Sequence, residues 1–193
     1  MIEPNKLTEE LTKAVSILKS GGIILYPTDT IWGIGCDATN AEAVAKIYML
    51  KQREDTKSML VLIDKSGRIP SYVQEMPDIA WDLIELSDKP LTIIYPKGKN
   101  LAKNLLSPDG SIGIRVVNHD FCSKLIGRFG RPIVSTSANV SGKPSPKTFS
   151  TIDTAIKNNV DYIVSEEFDN SLSDKPSSII MVGVNGEIKI IRE

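Results

Sequence analysis

Short apolar runs alternate along this chain with segments of helical periodicity, and no other feature constrains the fold as strongly. Strands that alternate with helices are typical of α/β proteins, in which helices cover the sheet. The runs predicted to be strands are 23–26, 59–63, 91–95, 112–117, 132–137, 160–164, 179–182 and 187–191.

Apolar residues recur at helical spacing between several of these strands. Thr39 and Glu42 have the spacing of a capping box and predict the start of one helix. Pro77 suits the start of another helix, and Gly130 follows a third as a stop signal. The predicted helices are 7–18, 40–50, 77–86, 121–129 and 151–158.

The last two apolar runs flank Asn185-Gly186, a strong signal for a two-residue β-hairpin. A terminal hairpin adds an antiparallel part, so we expect a mixed sheet. The length of 193 residues corresponds to about one domain of ~150 residues. We therefore predict a single domain over residues 1–193, α/β in class (α+β in some schemes).

Composition excludes several classes of protein. The longest apolar run, 59–63, is far shorter than the ~18 residues that span a bilayer, and the N-terminal sequence does not resemble a signal peptide. Two cysteines, Cys36 and Cys122, do not make a disulfide framework, so we expect a cytoplasmic protein with reduced thiols and no membrane contact. The 23 basic and 24 acidic residues exclude a global attraction to nucleic acid, but not a local basic cleft.

Common catalytic motifs are missing from the sequence. It contains neither a phosphate-binding loop of the form G-x-x-x-x-G-K-[ST] nor a G-x-S-x-G element for a serine nucleophile. His119 is the only histidine, so a metal site built from a histidine and cysteine cluster is excluded. The chemistry must come from other groups of polar residues.

One such group lies in the segment 26–33, where hydroxyls flank an aromatic side chain. If the segment is extended, Thr28, Thr30 and Trp32 point to one side and Asp29 to the other. A pair of hydroxyls beside an aromatic wall suits a small polar ligand. A polar segment at a sheet edge would show the same pattern, so both interpretations stay open.

A second group consists of cations at the end of the predicted helix 40–50. Lys51 and Arg53 are followed by Lys57, and cations at a helix C-terminus are commonly explained by the helix dipole. Positions i and i+2 diverge on a helix. Lys51 and Arg53 can therefore face one anion only if the chain is extended by Lys51.

A third group follows the strand 132–137. Ser135, Ser137 and Asn139 share one face of an extended chain, at the end of a strand where α/β sheets commonly bind ligands. A turn rich in hydrogen-bonding side chains would have the same composition.

Two arginines lie within or beside apolar strands. Arg115 is alone inside the strand 112–117. Strand alternation places Arg192 on the side of Ile188 and Ile190, which is expected to pack against the sheet. An arginine in either position needs an anionic partner or an open cleft.

These residues resemble those of the threonylcarbamoyl-AMP synthase family, whose members contain a YrdC-like domain. The resemblance covers residues 21–145, with weaker similarity up to Arg192, and includes the K-x-R…S-x-N signature at Lys51, Arg53, Ser137 and Asn139. Each motif alone is weak, but together they are specific. In chain order they are Gly-Gly-Ile-Ile-Leu-Tyr-Pro-Thr-Asp-Thr, Gly-Ile-Gly-Cys-Asp-Ala, Leu-Lys-Gln-Arg, Pro-Leu-Thr, Ile-Gly-Ile-Arg-Val and Ser-Thr-Ser-Ala-Asn-Val-Ser-Gly.

The resemblance implies a reaction and a fold. L-threonine, bicarbonate and ATP would give threonylcarbamoyl-AMP and pyrophosphate, the first step toward threonylcarbamoyladenosine in tRNA. The fold would be a twisted mixed sheet with flanking helices around a concave basic cavity. Mg²⁺ would arrive with ATP, held mostly by phosphates and water. Other tRNA-modification proteins would act downstream.

The same resemblance assigns residues to each substrate. Those implied to contact threonine are Thr30, Arg115, Ser135 and Ser178. Those implied to contact ATP are Arg53, Lys57, Ser111, Ser137, Ser145 and Arg192. The implied catalytic signature is Lys51, Arg53, Ser137 and Asn139, with Lys51 and Asn139 near the phosphates.

Two other functions stay open on the sequence alone. A YrdC-like module without synthase activity would use the basic cavity to bind double-stranded RNA or tRNA, although a net charge of −1 argues against strong non-specific binding. The second alternative is carbamoyl transfer to another small molecule.

Overall fold

The computed structural model describes residues 4–52, 59–170, 173 and 175–193. The strands are β1 (Ile24–Tyr26), β2 (Gly33–Gly35), β3 (Leu60–Ile63), β4 (Leu91–Tyr95), β5 (Ile112–Val116), β6 (Ile133–Ser137), β7 (Tyr162–Ile163), β8 (Ser178–Val182) and β9 (Ile188–Arg192). The helices are α1 (Pro4–Lys19), α2 (Ala41–Lys51), α3 (Asp78–Glu85), α4 (Asp120–Phe129) and α5 (Thr154–Lys157).

Nine strands of the described residues form one sheet in the order β7-β1-β2-β6-β3-β5-β4-β8-β9. β6 pairs antiparallel with both β2 and β3 and so joins the two halves of the sheet. The pairs β1–β7, β3–β5 and β4–β8 are parallel, and the other neighbours are antiparallel. The predicted mixed sheet of an α/β protein is confirmed.

Helices cover both faces of this sheet. Side chains alternate along each strand, so apolar residues on each face form a core with the helices on that side. Val61 of β3 belongs to a core that includes Ile47 of α2 and Ala80 of α3. Its neighbour Leu62 belongs to a second core, which includes Leu125 of α4. α1 packs against α4 on this second face, and beyond these helices the face stays open for the functional site.

β2 was absent from the sequence-based prediction, because three residues with two glycines carry no strand signal. A Cβ atom on Gly35 would lie 2.6 Å from the carbonyl oxygen of Val134 and 2.7 Å from Cε1 of Tyr26. Only glycine lets β2 approach its neighbours this closely.

The predicted capping box at the start of α2 is wrong. Asn40 is the N-cap, and its side chain accepts hydrogen bonds from the backbone N–H groups of Glu42 and Ala43. The Thr39 hydroxyl instead donates to the Asp37 carboxylate at 2.7 Å, which holds Thr39 outside the helix.

Two elements near the end of the sequence differ from the prediction. The last helix spans only Thr154–Lys157. The hairpin is present, but Asn185 does not have the positive φ that a two-residue type I′ turn requires. Gly186 alone is left-handed, with φ of 83°, and the Gly183 N–H donates to the Glu187 carbonyl at 2.8 Å, so the loop has one residue more.

Within the described ranges, no helix is both long and apolar enough to cross a membrane. The single-domain organisation over residues 1–193 stays a prediction.

The start of α4 makes stability depend on pH through His119. Its Nδ1 accepts the Cys122 N–H at 3.3 Å, which requires an unprotonated nitrogen. Burial lowers the pKa of His119 from 6.5, and the charges of Asp29, Asp169 and Asp120 only partly oppose this shift. Below about pH 6.5 the unfolded chain therefore binds a proton more readily than the folded chain, and stability falls as the pH drops.

We expect His119→Asn to reduce the loss of stability at low pH, because asparagine caps a helix well without titrating. Urea unfolding at pH 7.5, 6.5 and 5.5 should show a smaller decrease in unfolding free energy for the variant than for the wild type. Equal decreases in both proteins would contradict the role given to His119.

Candidate functional site

A cavity of about 220 Å³ opens where β3, β5, β6 and β8 meet. We call it the arginine cavity, because two guanidinium groups line it. The sequence-predicted residues that line it are Thr30, Arg115, Ser135, Ser137, Ser145 and Arg192. The other lining residues are Thr28, Ile31, Trp32, Gly33, Met59, Leu60, Thr136, Pro176, Ser177 and Ile179.

The segment after β1 forms one wall of the arginine cavity. The Thr28 hydroxyl donates to the Ile31 carbonyl at 2.7 Å and accepts the Thr30 N–H at 3.1 Å, so the segment bends instead of extending. Thr28, Thr30 and Trp32 nevertheless line the cavity, whereas Asp29 points away from it. The predicted side-chain directions are confirmed, although the backbone differs.

Contacts on both sides hold Trp32 in this wall. Its indole N–H donates to the Asp169 carboxylate at 2.7 Å, and its ring lies 4.8 Å from the Phe149 ring, centroid to centroid. A fixed aromatic side chain gives the cavity a rigid apolar surface.

Arg115 provides a buried positive charge. Its Nη2 lies 2.9 Å from Oδ1 of Asp29, and the side chains are only 4% and 1% exposed. Asp29 also accepts the Asn118 N–H at 3.2 Å. Nε of Arg115 has no hydrogen-bond partner among the described residues. A guanidinium beside a cavity suits a carboxylate or a phosphate.

Arg192 reaches the same cavity through a β-bulge. The register shifts after the Ile179–Arg192 pair, which leaves Ile191 as an extra residue in β9. Arg192 and Ile191 therefore line neighbouring cavities instead of facing opposite sides of the sheet. Nε and Nη2 of Arg192 donate to the Ser177 carbonyl at 3.0 and 2.6 Å.

The expectation that Arg192 shares a packed side of β9 with Ile188 and Ile190 is wrong. β9 is an edge strand, and Ile188 and Ile190 are 49% and 62% exposed. The bulge, which has no clear signature in the sequence, breaks the simple alternation.

Asp29 balances the charge of Arg115, so the charge of Arg192 is the one that an anion in the cavity would balance. Burial lowers the pKa of Arg192, and the charge of Arg115 lowers it further. Among the described residues that line the cavity there is no carboxylate. The concave basic cavity implied by the sequence is therefore present.

Lys51 lies beside this site rather than in it. α2 ends at Lys51, and Gln52 turns the chain with φ of 50° and ψ of 43°. Lys51 is 2% exposed, and its ammonium group donates to the carbonyls of Ser137 and Asn139 at 2.5 and 2.7 Å. Instead of lining the arginine cavity, Lys51 fixes the turn that follows β6.

The same turn positions Ser137. Its hydroxyl donates to Oδ1 of Asn139, whose Nδ2 donates to the Lys143 carbonyl at 2.6 Å. Ser137 lines the cavity, whereas Asn139 is not among the lining residues and holds the loop behind it. The implied catalytic signature thus contains one residue at the cavity wall and two that support it, within the described part of the chain.

Ser178 is not among the residues that line the arginine cavity. Side chains alternate along β8, so its neighbours Ser177 and Ile179 face the cavity instead. The Ser177 hydroxyl lies 2.8 Å from that of Thr92 and is buried. Matching to a motif cannot tell two adjacent serines apart. Strand alternation places Ser177 on the same side as Ile179, and this could have identified Ser177.

Ser111 lines a second cavity, of about 490 Å³, which we call the side cavity. Met59, Leu60 and Ile179 line both cavities, so the two adjoin. Arg53 and Lys57 lie outside the described residues, and their assignment to ATP stays a prediction.

The chain is similar in sequence to known proteins over most of its length. The family model Sua5_yciO_yrdC, described as telomere recombination, matches residues 16–193. A threonylcarbamoyl-AMP synthase of Pseudoalteromonas translucida is 31% identical over 92% of this chain and 95% of its own length. One of Photobacterium profundum is 33% identical over 82% of this chain and 88% of its own length.

Solved structures show the same fold. P. abyssi Sua5 complexed with L-threonine has a TM-score of 0.83 and 25% identity, covering 94% of this chain. The chain spans only 52% of that Sua5 chain. E. coli YciO has a TM-score of 0.81 and 25% identity, covering 95% of this chain and 88% of its own.

The role of Lys51 can be tested by Lys51→Met, which keeps the length of the side chain without its charge. The carbonyls of Ser137 and Asn139 would lose a buried donor, which we expect to cost about 2–4 kcal/mol of unfolding free energy. Urea denaturation measures the loss. Lys46→Met, which removes a single bond from an exposed lysine to the Gly21 carbonyl, is the matched control. Equal small losses in both variants would show that Lys51 does not support the turn.

Proposed function

The chain belongs to the Sua5, YciO and YrdC family, and we propose that it is an L-threonylcarbamoyl-AMP synthase. The amine of threonine and bicarbonate form a carbamate and water. A carbamate oxygen then attacks the α-phosphate of ATP, the bond from that phosphorus to the bridging oxygen breaks, and pyrophosphate leaves. The product would serve the threonylcarbamoyladenosine modification of tRNA.

The observation that carries this proposal is that Arg115 and Arg192 line one cavity. None of the described residues that line it is a carboxylate. Negative charge builds up on the phosphoryl oxygens and on the departing pyrophosphate. Fixed positive charge and correct positioning are what such a transfer needs, and no nucleophilic side chain takes part.

The part of the arginine cavity beside Thr30, Arg115 and Ser135 suits threonine. Thr30 and Ser135 offer hydroxyls for a small polar molecule, and Arg115 offers a positive charge for its carboxylate. The relative from P. abyssi is described in complex with L-threonine, which supports this assignment for a chain with the same fold.

The side cavity suits the nucleoside part of ATP. Its walls include Leu60, Ile94 and Met181, which can pack against a flat base. Asp109 also lines it and can accept hydrogen bonds from ribose, whereas it would repel phosphates. The phosphates would therefore lie in the adjoining arginine cavity.

We further propose that Mg²⁺ enters with ATP. The residues that line the arginine cavity are hydroxyl-bearing, apolar or cationic, so the ion would be held by phosphate oxygens and water. Bicarbonate as the carbon source, downstream tRNA-modification proteins and a cytoplasmic location stay predictions.

The proposal is tested by chromatography of reactions from which threonine, bicarbonate or ATP is omitted in turn. We expect pyrophosphate and a new adenylate only in the complete mixture. Product formed without threonine would favour carbamoyl transfer to another molecule. Salt-sensitive RNA binding without any turnover would favour the RNA-binding module instead.

Arg192→Ala should raise the KM for ATP about tenfold or more, because charge-assisted hydrogen bonds to phosphate are strong. The KM for threonine should change less. Arg128→Ala, at an exposed position in α4, is the control and should leave both values unchanged. Steady-state kinetics with each substrate varied separately gives the comparison, and an unchanged KM for ATP would remove Arg192 from the site.

A further inference from the structure

A third cavity lies on the opposite face of the sheet from the arginine cavity. Its volume is about 300 Å³, and we call it the α3 cavity because α3 closes it from outside. Its apolar walls come from α3, β4, β5 and the turn 66–71, and the polar groups gather in the segments that flank these strands. Its lining residues include Asp29, Ile84, Asp88, Lys89, Tyr95 and Asn118.

Tyr95 gives this cavity an unpaired polar group. Its side chain is fully buried, and its hydroxyl has no hydrogen-bond partner among the described residues. An unsatisfied buried hydroxyl costs about 1–3 kcal/mol. A bound molecule with a polar atom beside it would recover part of this energy, so the cavity has a feature that packing alone does not explain.

Asp29 connects the α3 cavity with the arginine cavity. Asp29 is among the residues that line the α3 cavity, with its side chain only 1% exposed, while its partner Arg115 lines the arginine cavity. Oδ1 of Asp29 forms the ion pair with Nη2 of Arg115 at 2.9 Å but makes no hydrogen bond within the described structure. Oδ2 of Asp29 accepts the Asn118 N–H at 3.2 Å. The carboxylate is buried, so it acts on a cation in the α3 cavity through its charge.

The charges around the α3 cavity favour a cation. Asp88 and Lys89 balance each other among the described residues that line it, and Asp29 is the negative end of an ion pair whose positive end, Arg115, lines the arginine cavity instead. Its apolar walls favour a compact hydrocarbon body. We propose that the α3 cavity is a second ligand site, which binds a small organic cation consisting of an ammonium group on a short apolar body.

The position of Asp29 gives this site a defined effect on the first one. A bound ammonium group, Asp29, Arg115 and an anion in the arginine cavity would form a row of alternating charges. Each ligand therefore attracts the other across the ion pair, and binding is mutually favourable. The coupling is reciprocal, because it is a free energy shared by the two sites.

The class of ligand is tested with isopentylamine as the probe, titrated into the full chain and followed by NMR. Isopentanol and isovalerate have the same apolar body without the positive charge. We expect the amine to shift the backbone amide signals of Tyr95 and Asn118 and to bind at least tenfold more tightly than either analogue. Equal binding of the three compounds would overturn the assignment of a cation site.

The location is tested by Ile84→Phe, which adds volume from the α3 side without touching the arginine cavity. This variant should lose amine binding, and Ile84→Leu, which conserves volume, should keep it. Tyr95→Phe, which keeps the shape of the cavity, serves as a second probe if Ile84→Phe does not fold. This variant should still bind the amine, but the shifts that the amine induces near residue 95 should differ from those in the wild type. Unchanged binding to folded Ile84→Phe would place the amine elsewhere. So would amine-induced shifts in Tyr95→Phe that equal those in the wild type.

The coupling is tested by calorimetry with threonine and separately with pyrophosphate, each with and without saturating isopentylamine. We expect the amine to tighten both by about fivefold at low salt and less at high salt. The threonine measurement rests on the proposed function, but pyrophosphate requires only the arginines. Failure of threonine to bind would count against the synthase, whereas an unchanged pyrophosphate affinity would overturn the coupled site.

Discussion

The buried ion pair between Asp29 and Arg115 is the interaction on which the arrangement of the site depends. Removing two charges from water is expensive, and the pair is favourable only where further hydrogen bonds and good geometry compensate. Asp29 gains the N–H of Asn118, and Arg115 keeps access to an open cavity. The pair ties the bend after β1 to the middle of β5, so the hydroxyls of that bend are held at a fixed position relative to the guanidinium group.

The site is assembled from strand ends that are distant in the sequence, and the order of the strands brings them together. β6 places Ser137 beside the bend from β1, while β8 and β9 bring Ser177 and Arg192 to the same cavity from the other half of the sheet. The bulge at Ile191 is essential here, because a regular β9 would turn either Ile191 or Arg192 away from the open face. Lys51 contributes from behind by holding the carbonyls at the end of β6.

Much of the fold could be predicted from the sequence, because apolar periodicity reflects burial directly. The directions of Thr28, Thr30 and Trp32 agree with the prediction, although the segment bends and Ile31 lines the same cavity. Other features depend on tertiary contacts: β2 forms because glycine allows close approach, and Lys51 turns to buried carbonyls instead of an anion. The sequence contains the residues of the site, but which of two adjacent residues faces the cavity is decided by the register.

Two buried side chains behind the arginine cavity, Tyr26 and Cys122, have a raised pKa, which fits a reaction driven by positioning. Burial raises the pKa of Tyr26, which lies next to Ser135, far above its usual range. Burial and the charge of Asp29 likewise raise the pKa of the Cys122 thiol. A proton relay needs a group that titrates near the working pH, and neither side chain does so. Phosphoryl transfer to a carbamate needs no such group, because the attacking oxygen is already anionic. The fixed charges of the two arginines are therefore the chemically active feature of the site: Asp29 balances the charge of Arg115, and an anion in the cavity would balance that of Arg192.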